Sequence, residues 1–135
     1  MEGEKPGPGE GEILEGKKSR ACLTLRSRYG TLRLTPLGAS VIRVQFIRGK
    51  DGKFPQGCWD SEPETAVAWS ARAGKNTVEL ATDQLVVRIR KKTGALTFFD
   101  IRGKKLLEED QEIPRTADGR SRTRTCFAWA REEKI

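Results

Sequence analysis

The sequence predicts an all-β fold, an antiparallel β-sandwich of about eight short strands. Three observations carry the prediction. Apolar residues recur at every second position through most of the chain. Gly, Pro, Asp and Asn cluster between those runs. No stretch shows the 3.6-residue apolar spacing of a helix.

The elements follow in order. Residues 1–12 (MEGEKPGPGEGE) are too polar and too rich in Gly and Pro to join a core, and read as a flexible tail. The Gly9-Glu10-Gly11 spacing is no phosphate loop, since no strand precedes it and Glu10 would repel a phosphate. The sandwich is expected over 13–135. Leu23 and Leu25 alternate with Cys22, Thr24 and Arg26, and residues 27–30 form a turn. Leu32 and Leu34 alternate with Thr31, Arg33 and Thr35 until Pro36-Leu37-Gly38 breaks the run. Ile42, Val44 and Phe46 then alternate with Arg43 and Gln45. Alternation gives each strand one apolar and one polar face, as a half-buried antiparallel sheet requires. Residues 48–65 lose the pattern and read as a long loop. A short strand with Trp69 follows over 66–71. Val78 and Leu80 belong to the next strand, then Leu85, Val87 and Ile89. Lys92-Thr93-Gly94 signals a hairpin. Residues 95–99 are β-prone and apolar on both faces, and 100–103 turn the chain towards Leu106 and Leu107. Residues 108–121 read as polar loop, and a last strand holds Phe127 and Trp129.

Composition narrows the function classes. The 135 residues suit one domain of ordinary size, 36% apolar and 33% charged. There are 26 Lys and Arg against 19 Asp and Glu, a formal charge of +7. Beyond the N-terminal tail the cations spread from Lys17 to Lys134 and mostly alternate with apolar residues, the pattern of a solubilising face rather than a nucleic-acid footprint. Cys22, Cys58 and Cys126 are odd in number and widely spaced, which argues against a disulfide framework and suits a reducing, cytoplasmic compartment. No apolar run reaches the ~18 residues of a membrane helix, and no signal-peptide pattern is visible.

Candidate chemistry is sparse. The chain has no His, so Ser-His-Asp and Cys-His triads and imidazole acid–base catalysis are excluded. A Cys/His zinc site is not expected, nor any other metal or cofactor. Asp60 with Glu62, or the run Glu108-Glu109-Asp110, would supply carboxylates, but each falls in a polar stretch where such groups stay solvated. No catalytic residue is therefore assigned. Trp59, beside Asp60, is the candidate substrate-binding pair: an indole stacks on a sugar ring and a carboxylate accepts its hydroxyl protons. The same indole can instead pack across one end of the sandwich, the commoner fate of Trp. Arg88, Arg90, Lys91 and Lys92 form the densest basic cluster, with Arg120, Arg122 and Arg124 a second. A basic strand face binds single-stranded nucleic acid when aromatics interleave, and none lies between Gln84 and Lys92.

The order of the pieces resembles the N-terminal β-sandwich of family 31 glycoside hydrolases. Residues 37–47 (LGASVIRVQFI) are similar to an early strand of that family. Residues 79–107 (ELATDQLVVRIRKKTGALTFFDIRGKKLL) resemble its Thr-anchored strand, hairpin, "L-T-F-aromatic-D" segment, Gly turn and "LL". Residues 126–135 (CFAWAREEKI) look like the strand leading into an "E-x-hydrophobic-Tyr-Gly-Leu-Gly" element, with Glu133 and Ile135 at its start. The resemblance implies a galactose-mutarotase-like sandwich. It also implies action on α-linked sugars by a C-terminal (β/α)-barrel that carries the acids, including a Trp-x-Asp-Met-Asn-Glu type motif. Trp59-Asp60-Ser61-Glu62 does not match that motif, so no catalytic residue carries over.

The expectation is thus a noncatalytic domain of a longer α-glycosidase. Its partner is the catalytic barrel of the same polypeptide, and its loops help shape the entrance for an α-linked carbohydrate. A stand-alone carbohydrate-binding module using Trp59, and a basic β-module binding nucleic acid through Arg88, Arg90 and Arg122, are the alternatives.

Overall fold

A computed structural model describes residues 7–48, 67–112, 114–117, 123–125 and 127–129. All regular elements among them are strands, and every pairing is antiparallel. One sheet has the order β1 (Glu15–Lys18), β2 (Leu23–Arg26), β3 (Gly30–Gly38), β4 (Val41–Arg48). The second has six strands. From one edge they run β12 (Phe127–Trp129), β9 (Lys105–Glu109), β8 (Leu96–Asp100), β7 (Leu85–Arg90), β6 (Thr77–Ala81) and β5 (Ser70–Ala73). β10 (Arg115–Ala117) and β11 (Thr123–Thr125) pair with each other. No helix among the described residues is long and apolar enough to cross a membrane.

The expected alternation builds the core. Leu23, Leu25, Leu32 and Leu34 from the first sheet meet Val78, Leu80, Val87, Ile89 and Leu96 from the second, all buried. Ile13, Ile42, Phe46, Trp69, Ala71 and Phe98 close over this layer. Two apolar sheet faces packed in this way define a β-sandwich. Thr31 and Thr35 are also buried, on the opposite face of β3, so that central strand is enclosed on both sides.

Turns fall where the sequence placed them. Ser27 closes the β2–β3 turn: its Oγ donates to the Gly30 carbonyl at 3.0 Å and accepts the Gly30 N–H at 3.2 Å. Gly30 cannot carry a side chain, because a Cβ there would strike the Ile47 carbonyl and the Phe46 ring. Gly94 closes the β7–β8 hairpin at φ 77°, donating its N–H to the Arg90 carbonyl at 2.7 Å. Asp100 Oδ1 accepts the N–H groups of Arg102 and Lys104, each at 2.9 Å, and so holds the β8–β9 turn.

One side chain ties the two sheets together. Thr82, in the β6–β7 turn, donates its hydroxyl to the Ala39 carbonyl of the β3–β4 hairpin. The same oxygen accepts the Leu85 N–H at 3.0 Å and the Gln84 N–H at 3.2 Å.

Two local readings change, at Pro36 and at Glu108-Glu109, and among the described residues β1, β10 and β11 join the strands expected. β1 is exposed along its whole length and pairs only through its backbone, so it has no apolar signature. Pro36 does not end its strand: it sits buried in β3 opposite Ile42, and the register shifts between Pro36 and Gly38 to absorb the missing N–H. β9 continues through Glu108 and Glu109, and the Glu109 carboxylate, 1% exposed, accepts the Leu96 N–H at 2.9 Å.

Candidate functional site

Strand alternation that sends Val87 and Ile89 into the core sends Arg88 and Arg90 to the outer face of the six-stranded sheet. Register sets Thr97 of β8 and Glu79 of β6 on either side of Arg88, and Thr77 beside Arg90. Glu79 holds two arginines. Its Oε1 accepts from Arg88 Nε at 3.1 Å and its Oε2 from Arg72 Nη2 at 3.3 Å. The Arg88 guanidinium also lies over the Phe99 ring, 4.8 Å from its centroid. Arg90 Nη1 donates to the Gln111 carbonyl at 3.0 Å and to Glu112 Oε1 at 3.1 Å.

At one end of this face the chain encloses an open groove of about 620 Å³. One wall is the β5–β6 turn with Lys75, Asn76 and Thr77. The opposite wall is the β7–β8 turn with Lys91 and Lys92, and Arg88, Arg90 and Thr97 also line it. Backbone bonds fix the walls relative to each other: Lys91 donates its N–H to the Asn76 carbonyl at 2.9 Å and accepts the Ile13 N–H at 2.7 Å. Gln111 completes the lining, with its Nε2 donating to the Glu109 carbonyl at 3.0 Å and its own carbonyl accepting from Thr93 Oγ1 at 2.7 Å. Among the described residues of the lining Glu12 is the sole carboxylate, against five cationic side chains. The groove is therefore electropositive, although Glu79 and Glu112 offset part of the arginine charge.

The structure gathers the basic cluster of residues 88–92 into this groove and adds Lys75, Asn76, Thr77 and Thr97, which sequence distance hides. Residues 95–99 read as apolar on both faces, and the structure separates the two: Phe98 faces inward and Phe99 outward, where it supplies the aromatic that the Gln84–Lys92 run lacks. Cross-strand register, invisible in linear order, brings it beside Arg88. Trp69 does pack against the core, under the Lys18 ammonium 4.7 Å away. Trp59 and Asp60, the expected substrate-binding pair, lie outside the described residues, as do Glu62, Cys58, Cys126, Arg120 and Arg122. Cys22 is a free thiol, half-buried and 3.3 Å from Ser19 Oγ. Among the described residues no three His, Cys, Asp or Glu side chains converge as a metal site would require.

No protein-family model matches this chain, and no curated protein matches it. Among solved structures, its fold is similar to the crystal structure of a GH31 α-xylosidase from Xanthomonas citri. The TM-score is 0.57 at 24% identity, and the match covers 70% of this chain but 11% of that one. The likeness is one of fold, an all-β sandwich, and it equates this chain with a small portion of a much longer polypeptide.

Proposed function

We propose that this chain is a noncatalytic N-terminal β-sandwich domain of an α-glycosidase, supporting a C-terminal catalytic (β/α)-barrel of the same polypeptide and contributing loops to its substrate entrance. The observation that carries the reading is the fold match to one-ninth or so of a GH31 α-xylosidase, 11% of that chain. It agrees with the residue pattern of 79–107, in which Thr82 is the anchor of the second sheet half and clasps the first.

Two further observations support it. The sequence lacks His altogether, and the buried Glu109 carboxylate accepts the Leu96 N–H, a structural use of that group. At the β3–β4 hairpin and along the edge strand β4, Leu37, Val41 and Val44 stand 38%, 52% and 41% exposed, apolar surface that a packed partner would cover. On this reading the barrel packs against the β4 edge of the first sheet.

The test is enzymatic. The purified chain should show no hydrolysis of aryl α-glucosides or α-xylosides above buffer. Robust turnover that is lost on Asp60→Asn would refute the noncatalytic assignment.

A further inference from the structure

We propose that the groove between the β5–β6 and β7–β8 turns binds a small phosphorylated or sulfated polyol, a tetrahedral oxyanion carried on a hydroxyl-bearing molecule. The inference does not depend on the glycosidase reading, since it rests on this chain's own residues.

Three lysines carry it. Lys75 stands on one wall, Lys91 and Lys92 on the other, and the side chains of all three make neither a hydrogen bond nor an ion pair with the described residues. On the strands of this sheet the cations are matched, since Arg72 and Arg88 share Glu79, Arg90 meets Glu112 and Lys105 meets Glu108, whereas Arg102 and Lys104 of the β8–β9 turn make no ion pair among the described residues but stand outside the groove. Unmatched ammonium groups set around one concavity repel each other, and an anion between them removes that cost. The walls that carry them are pinned by the Lys91–Asn76 backbone bond, so the charges are held together before any ligand arrives.

The neutral lining defines the rest of the ligand. The Asn76 amide and the Thr77 hydroxyl line the same wall and make no side-chain hydrogen bond within the described residues. Both donate and accept, which suits a polyol. At about 620 Å³ the groove has the size of a small-molecule site. Among the described residues no aromatic lines it, and the Phe99 face is already covered by Arg88, so these residues do not offer the stacking that single-stranded nucleic acid requires.

The test is titration of the full chain at low salt with glucose 6-phosphate, with inorganic phosphate and glucose as separate arms, followed by calorimetry and amide chemical shifts. Glucose 6-phosphate should saturate the protein, inorganic phosphate should bind more weakly and glucose not measurably. Shifts should centre on Asn76, Thr77, Lys91 and Lys92. The double variant Lys75→Ser/Lys92→Ser should lose about tenfold in affinity, with an unchanged melting temperature. Lys75→Arg/Lys92→Arg should retain binding, and Lys104→Ser, in the β8–β9 turn, should have no effect. Saturation weaker than about 10 mM would overturn the proposal, as would shifts centred elsewhere or a double variant that binds like the parent. Equal affinity for inorganic phosphate and glucose 6-phosphate would refute the polyol. Tighter binding of a single-stranded oligonucleotide than of glucose 6-phosphate at the same salt would make the surface a nucleic-acid one instead.

Discussion

Replacing Thr82 by Val should unclasp the two sheets while leaving the core volume unchanged. The hydroxyl donates to the Ala39 carbonyl across the sandwich and accepts the N–H groups of Leu85 and Gln84. Val is nearly isosteric but can do none of this, so one carbonyl and two amides in a half-buried turn lose their partner. An ordinary hydrogen bond contributes about 1 kcal/mol net, and a group left unsatisfied costs about 1–3 kcal/mol. Gln84 is exposed and can turn to water, so the Ala39 and Leu85 groups dominate. The expected loss is about 2 kcal/mol. In equilibrium urea unfolding, with a slope of about 2 kcal/mol/M, the midpoint should fall by about 1 M at unchanged slope. Thr82→Ser keeps the hydroxyl and should retain most of the stability. A Thr82→Val midpoint within about 0.2 M of the parent, or a Ser variant as unstable as the Val one, would refute the clasp.

Two further perturbations test the fold more broadly. Leu34→Ala, at a fully buried position where the sheets meet, should cost about 2–5 kcal/mol in the same assay. Gly94→Ala forces a side chain onto a residue at φ 77° and should cost about 1–2 kcal/mol, with the β7–β8 amides exchanging faster.

Much of the fold is legible in the sequence because period-two alternation reports burial directly. Spacing alone marks Leu23, Leu25, Leu32, Leu34, Val78, Leu80, Val87 and Ile89 as one face of their strands, and all are core. What alternation cannot show is a strand with no buried face. Glu15–Lys18 is exposed at every residue and is held by ladder bonds to β2, so no apolar alternation announces it. Pro36 misleads in the opposite sense. Proline usually ends a strand, but here a register shift accommodates it with its ring buried. Glu109 misleads too: a charged residue in an acidic run reads as loop, although its carboxylate is spent on an inward backbone N–H.

The groove was half legible. Arg88 to Lys92 stand out as a basic run, but their significance depends on what faces them, and Lys75, Thr77, Thr97 and Phe99 reach them only through register. The run's charge is also not all available, because Glu79 and Glu112 occupy the two arginines. The free charge sits instead on the lysines of the two turns. Linear proximity ranked the arginines first, and three-dimensional pairing reverses that order.

The central claim, that this sandwich is the accessory part of an α-glycosidase, is tested most directly by sequencing the transcript that encodes it past Ile135. The account predicts a continuing frame with a Tyr-Gly-Leu-Gly element and then a (β/α)-barrel bearing a Trp-x-Asp-Met-Asn-Glu type motif. A stop codon directly after Ile135, or a following domain without paired carboxylates at the C-terminal ends of barrel strands, would contradict it.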